Sequence, residues 1–408
     1  MQYSDDLLQL AEEVRVDPER LPKLDIRAGS LLKSAEFIKE KRFQHAVLVI
    51  DENTKQAAGN ALYRYVTAEG IKATVVELAP NSHGQIIADE PTIIQLMVDT
   101  PSETDVLLAV GSGTIHDITR FCSEKMNLPF ISIPTAASVD GFTSKGAPLI
   151  LKGVKKTIQT TSPIAVFADL NVLCAAPQDL SAAGFGDILG KYTSLLDWQI
   201  SQLVADEPYS ASAAKMTRNS LERCVKNAEK IARADEKGLT ILMEALIESG
   251  LVMLLLDFSR PASGGEHHLS HYWEMDLLQK DAPQLLHGAK VGIAASIITD
   301  LYKQWAENFN PDLLSQGERY EKELNEHWYS IKTEIEALPD AKVLRDYLEQ
   351  TGGPSRIQQL GVSESLVEKS LNEAFHLRDR CTGLFLINQI KSTMIPYPLR
   401  PSFYPEAD

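Results

Sequence analysis

The sequence predicts an α/β half built on a parallel sheet, residues 1–176, followed by an all-α half, residues 177–408. Two observations carry this. Up to about Ala175 short apolar runs alternate with amphipathic segments, whereas beyond it long helical patterns dominate and strand-like runs almost vanish. The 408 residues suffice for two substantial cores.

His45-Ala46-Val47-Leu48-Val49-Ile50-Asp51 reads as a buried strand, and Asn53 to Ala68 as the helix after it. Further strands are expected at Lys72–Leu78, Asp105–Val110 and Phe130–Pro134. Strands separated by helices imply βαβ units and hence a parallel sheet. In the second half, helices are expected over Met216–Ala234, Gly238–Leu256, Ala289–Phe309 and Arg319–Glu336, with Gly352-Gly353-Pro354 breaking the last helical region. The boundary is placed near Ala176-Pro177.

Composition is that of an ordinary globular enzyme, 44% hydrophobic and 24% charged. The net charge of −16 disfavours nucleic acid and anionic membranes as partners. No run of about 18 uncharged apolar residues suggests a membrane span. The acidic start, Met1-Gln2-Tyr3-Ser4-Asp5-Asp6, lacks a signal-peptide pattern, so a cytoplasmic protein is expected. Cys122, Cys174, Cys224 and Cys381 are scattered, which argues against a disulfide framework and for small core residues.

Gly111-Ser112-Gly113-Thr114-Ile115-His116-Asp117 follows the third strand and opens a helix. Small residues there let backbone N–H groups approach a pyrophosphate at a helix N-terminus. The spacing is not the usual G-x-G-x-x-G, because His116 stands where the third glycine would be, and a plain tight turn would use the same glycines. Asp51, at a strand end, can accept from an adenosine ribose and repel a 2′-phosphate, or it can cap the next helix. Pro134-Thr135-Ala136-Ala137-Ser138-Val139-Asp140-Gly141 is a small-residue loop at the strand edge where open α/β sheets bind ligands. Lys145, Lys152, Lys155 and Lys156 form a local basic cluster, which a solvated hairpin would also explain.

Three distant segments complete the chemistry: Gly184-Phe185-Gly186-Asp187, Glu266-His267-His268-Leu269-Ser270-His271 and His287-Gly288. A helix starting after Gly264-Gly265 puts His267 and His271 on one face, with His268 pointing elsewhere. The two can share a metal, or one can bind metal while the other meets substrate. His287 stands at a helix start, and Asp187 is expected to open a helix over Ile188–Leu196. A carboxylate and imidazoles suit a divalent transition metal. Five of the nine histidines, His116 of the glycine loop with His267, His268, His271 and His287, fall in the motif regions, a clustering that favours a site over isolated core histidines.

With these segments the chain resembles the glycerol dehydrogenase, iron-type alcohol dehydrogenase and dehydroquinate synthase superfamily. The stretch Ser259-Arg260-Pro261-Ala262-Ser263-Gly264-Gly265-Glu266-His267 with Ser270-His271 is similar to the glycerol-1-phosphate dehydrogenase family, in its bacterial AraM-type branch. The resemblance spans roughly residues 25–395 by ordering of elements. It implies a dehydroquinate synthase-like fold, with a Rossmann-like nucleotide-binding domain, an all-helical metal- and substrate-binding domain, and the site between them. It implies Asp187, His267 and His287 as ligands of one divalent metal per subunit, nickel favoured and zinc next. NAD, or NADP, would be held by Gly113, Thr114, Ile115, His116, Asp117, Thr135, Ala136, Ala137, Ser138 and Ser144, with Asp51 near the ribose. Asp140, Asp187 and His271 would contact substrate, Asp187 and His271 being the catalytic pair. The implied reaction is reversible, metal-assisted reduction of dihydroxyacetone phosphate to sn-glycerol 1-phosphate by a homodimer. Alternatives on the same scaffold are a polyol dehydrogenase acting on unphosphorylated substrate, a dehydroquinate-synthase-like lyase and an inactive sensor.

Overall fold

A computed structural model describes residues 3–311 and 320–400. Six parallel strands form one sheet in the order β1 (Lys23–Arg27), β8 (Ala165–Asp169), β5 (Phe130–Pro134), β4 (Val106–Gly111), β2 (His45–Ile50) and β3 (Lys72–Glu77). A two-stranded antiparallel hairpin, β6 (Gly146–Leu151) and β7 (Val154–Gln159), stands apart from it.

The interior strands are apolar on both faces, as parallel strands covered by helices must be. Leu48, Ile50, Leu108 and Val110 meet the helices Ser30–Glu40 and Asn60–Ala68 through Ala35, Ile38, Leu62 and Val66. Val47, Val49, Leu107 and Ala109 point the other way, onto Ile93, Leu96, Ile118 and Cys122 of the helices Glu90–Asp99 and Gly113–Met126. The alternation is the period-two geometry of a strand buried twice.

Four strands fall within a residue of expectation. β1 and β8 are additional; each is only five residues long, and β1 pairs with β8 alone among the sheet strands. The expected helix from Asn53 begins instead at Glu52, capped by Asp51, and passes through a π-helical turn at Lys55–Gly59. The N-terminal helix, Asp5–Glu13, does not join the sheet layer. Its Leu7, Leu10 and Ala11 enter the core of the helical half, against the helices Ala211–Lys226 and Glu236–Leu256.

The helical half starts in earnest at Gln178. The expected Met216–Ala234 helix is two, Ala211–Lys226 and Ala228–Ala232, separated at Asn227. The Arg319–Glu336 expectation is met by a helix over Glu321–Glu336, with Arg319 outside the described residues. The Glu236–Leu256 helix is long and apolar enough to cross a membrane, but it packs at the centre of the helical core and most of it is buried by protein. Its Glu248 is tied to Ser220 and Arg223. Three cysteines are buried as expected; Cys174 is exposed.

Asp187 departs from expectation in a telling way. It does not open a helix: Gly184, Gly186 and Asp187 all lie inside the Gln178–Leu189 helix, and a second helix follows at Lys191–Ala205. The glycines serve a crossing. A Cβ on Gly186 would sit 2.3 Å from the Gly288 carbonyl oxygen, one on Gly288 1.8 Å from that of Ala183, and one on Gly184 2.0 Å from that of Ala137. The Gln178–Leu189 and His287–Asn308 helices therefore touch backbone to backbone, and the first also touches the loop after β5.

This contact generates a test. Gly288→Ala should lower thermal stability, by at least about 1–3 kcal/mol on the scale of overpacked cores. A melting temperature equal to that of the parent protein would show that the crossing relaxes freely.

Candidate functional site

A cleft of about 340 Å³ lies between the sheet half and the helical half. Its volume is in the range of small-molecule sites. Paired hydrogen bonds between the Gln85 side chain and the Gln284 backbone link the two halves, donated by Gln85 Nε2 at 2.9 Å and by Gln284 N at 2.7 Å.

On the sheet side the wall contains Ser112, Gly113, Thr114, Asp117, Ser138, Asp140 and Ser144. The helix from Gly113 begins directly after β4, so its N-terminus, whose first N–H groups have no partner within the helix, borders the cleft. Ser138 Oγ is buried without a hydrogen-bond partner, a polar atom available to a ligand. The other nucleotide-loop residues lie behind this wall. Ile115 is buried core, and Gly111 leaves it room, since a Cβ there would meet Ile115 Cδ1 at 2.5 Å. His116 is buried between Ser112 and Ser132. The Ser112 carbonyl at 2.8 Å can only accept, so Nδ1 carries the proton and Nε2 accepts from Ser132 Oγ at 2.7 Å. Burial pushes this imidazole down to about 3, a neutral anchor of the loop. Thr135 bonds back to the Gly111 carbonyl, and Ala136 and Ala137 are buried. Asp51 caps the Glu52 helix through a reciprocal bond with Thr54 and is not in the cleft wall.

Burial raises Asp117 to about 7, and Arg120 pulls the other way from 3.1 Å. Arg120 is itself fully buried and also donates to the carbonyls of Gly141 and Gly146. It thereby locks the glycine helix to the Asp140 loop and to β6, a positioning role with no local sequence signal.

On the helical side, ligand atoms of Asp187, His267 and His287 all lie within 4.8 Å of one another. Asp187 Oδ2 accepts from the Asp140 N–H at 3.0 Å, while Oδ1 is buried with no hydrogen-bond partner. His267 Nε2 stands 3.8 Å from that oxygen and Lys191 Nζ 3.5 Å. On the far side of the ring, Nδ1 meets Glu266 Oε1 at 2.7 Å. Glu266 also accepts from Gly264 N at 2.6 Å and Thr193 Oγ1 at 2.6 Å. A carboxylate so placed accepts a hydrogen bond from Nδ1–H and leaves Nε2 as a lone pair facing Asp187, the tautomer a metal needs.

His271 lies one turn on, its ring 5.9 Å from those of both His267 and His287. Arg378 Nη2 stands 3.3 Å from His271 Nδ1. A guanidinium only donates, so the His271 proton resides on Nε2.

Burial lowers the proton affinity of His267, His271 and His287, with nearby cations adding to it, so all three imidazoles are neutral. Burial and the adjacent Asp140 charge push Asp187 up to about 7 against the pull of Lys191. Burial also works against ionisation of Asp140, but Lys191 at 2.6 Å outweighs it and, with Ser249 at 2.8 Å, holds that carboxyl below its usual range. An orphaned buried oxygen beside two neutral imidazoles is a donor set that fits a divalent cation, whose charge would reverse the upward push on Asp187.

Of the sequence candidates, the structure brings together Gly113, Thr114, Asp117, Ser138, Asp140, Ser144, His267, His271 and His287 in the cleft wall, with Asp187 just beneath. Lys191, Glu274 and Lys290 escaped sequence reading, although each sits three or four residues from a candidate (Asp187, His271 and His287). Arg378, from far along the chain, offered no signal.

Residues 25–177 match the family model for iron-containing alcohol dehydrogenase. A glycerol-1-phosphate dehydrogenase [NAD(P)+] of Bacillus subtilis is 49% identical over 365 residues, covering 90% of each chain. One from Methanosarcina mazei is 30% identical over 83% of each. Among solved structures, a glycerol dehydrogenase from Schizosaccharomyces pombe superposes with a TM-score of 0.65 over 90% of this chain and 87% of its own, at 19% identity, a likeness of fold. The extent and level of identity to these relatives place the chain in the glycerol-1-phosphate dehydrogenase family.

Proposed function

We propose that the chain reduces dihydroxyacetone phosphate reversibly to sn-glycerol 1-phosphate with NADH, or less well NADPH. The observation that carries this is one cleft with a helix N-terminus fit for a nucleotide phosphate on one wall and the Asp187–His267–His287 cluster on the other. The family supports the substrate and cofactor.

Asp187, His267 and His287 would hold one divalent metal, nickel first and zinc next, with Glu266 orienting His267 from behind. A metal there supplies Lewis-acid polarisation of the ketone, and a bound nicotinamide supplies the hydride. The N–H groups from Gly113 and the hydroxyls of Ser138 and Ser144 would bind and orient the nucleotide. Asp140, pinned by Lys191 and Ser249, would present its free carboxylate oxygen to a substrate hydroxyl. His271 Nε2–H would donate a hydrogen bond to the developing alkoxide, the proton itself arriving through water, with Arg378 fixing the ring. A cytoplasmic homodimer serving glycerophospholipid-type synthesis belongs to the same reading.

Three measurements check it. Chelator-stripped protein refilled with nickel, zinc or iron should oxidise NADH with dihydroxyacetone phosphate far faster than with dihydroxyacetone. Preference for the unphosphorylated ketone would make it a polyol dehydrogenase, and silence with both would favour the lyase or an inactive scaffold. Glu266→Gln should weaken metal retention against a chelator on the order of 10–100-fold, as loss of an orienting carboxylate does elsewhere; unchanged retention would restrict Glu266 to a structural role. Asp51→Asn preserves the helix cap but removes the charge. It should narrow the preference for NADH over NADPH, and an unchanged ratio would leave Asp51 a cap alone.

A further inference from the structure

Beyond the three-residue cluster the cleft turns positive. Lys155 of β7, Lys290 of the His287–Asn308 helix and Arg378 of the C-terminal region all reach its wall. Lys155 Nζ bonds both oxygens of Glu274 at 2.8 Å, and Lys290 Nζ bonds one of them at 3.0 Å. The group is well shielded: Lys290 is 1% exposed overall, and the side chains of Lys155 and Glu274 are 13% and 14% exposed. Of the four lysines clustered in the sequence, Lys152 and Lys156 are exposed and Lys145 pairs with exposed Asp257; Lys155 alone turns inward to a buried partner.

Two buried ammonium groups on one carboxylate are not a neutral structural pair. With Arg378 they make three cations around Glu274; Glu266 also acts on Arg378, and Asp117, raised to about 7, on Lys155. Burying unbalanced charge is unfavourable, which asks for a further anion in the cleft. Glu274 also lies within 4.8 Å of the ligand atoms of His271 and His287, a second possible cation set. The ammonium groups on its oxygens oppose a cation there and favour an anion. A local cluster of three cations, in a chain that is −16 overall, suits a phosphate.

We infer that Lys155, Lys290 and Arg378 form the subsite for the substrate's phosphate, with Glu274 the internal counterion that holds both lysines until the phosphate arrives. The inference rests on the phosphorylated substrate proposed above. The location suits that substrate. His287 contributes to both the metal-type cluster and the Glu274 group, so a ketone at the first would carry its phosphate, only a few bonds away, towards the second. The subsite would then be what separates this chain from a polyol dehydrogenase on the same scaffold.

The test compares kcat/KM for dihydroxyacetone phosphate and dihydroxyacetone, with competitive inhibition by inorganic phosphate, on metal-loaded protein. Lys155→Met keeps the aliphatic stem and removes the charge. It should lower the phosphorylated-to-unphosphorylated ratio at least about tenfold, the effect of one charge-assisted hydrogen bond, and weaken phosphate inhibition similarly. Lys155→Arg should restore most of the ratio. Arg378→Gln, on another element, should shift the ratio the same way and serves if Lys155→Met does not fold. A folded variant set with parental ratio and inhibition would overturn the subsite and leave the substrate reading standing. A parent protein with no preference for the phosphorylated ketone would overturn the substrate reading and the subsite with it.

Discussion

The close approach of two helix backbones is the constraint on which the site depends. Gly186 and Gly288 abut each other's helices, and Gly184 abuts the Ala137 carbonyl. Removing three Cβ atoms lets the Gln178–Leu189 helix lie against both the His287–Asn308 helix and the loop after β5. That one contact puts Asp187 beside His287 and brings the Asp140 N–H to Asp187 Oδ2. The sheet half and the helical half thus share a fully buried carboxylate, and the cleft between them has a common floor.

Around that floor, charges are buried in compensated groups. Lys191 sits between Asp140 and Asp187, 1% exposed, and its own ionised form is favoured by both carboxylates despite burial. Glu266 is saturated by Thr193, Gly264 and His267. Burial opposes ionisation of Glu274, yet Lys155 and Lys290 hold it well below the usual carboxylate range. Asp187 Oδ1 has no hydrogen-bond partner, and His267 Nε2 faces it. Such a pattern, complete except where ligands would enter, is what preorganisation requires: the groups that meet a ligand are already held, neutral or charged, by groups that do not.

Much of the fold was legible because the physics was local. The apolar runs of β2, β4 and β5 are strands for any chain that must cover both faces of a sheet. His267 and His271 share a helix face by spacing alone, and His287 starts its helix after Pro283 and two leucines. β1 and β8 were not legible: β1 alternates charged and apolar residues over five positions, and only its pairing with β8 makes it a strand. Asp187 was misplaced for a related reason. Glycines in a sequence signal a helix end, whereas here they lie within a helix and serve a contact with residues about a hundred positions away.

What the sequence by itself determined is the chemistry on offer: a strand–glycine turn–helix element, a carboxylate and histidines in motif spacing, and a basic cluster near Lys155. These follow from residue types and short-range periodicity, which need no partner. Only the tertiary structure decided which of them meet. It set His116 and Ile115 behind the cleft wall, turned Lys155 inward to Glu274 and Lys290, and drew Arg378 to His271 across more than a hundred residues. Those outcomes depend on helix crossings and long-range packing, which are properties of three-dimensional contact and leave no fixed spacing in the chain.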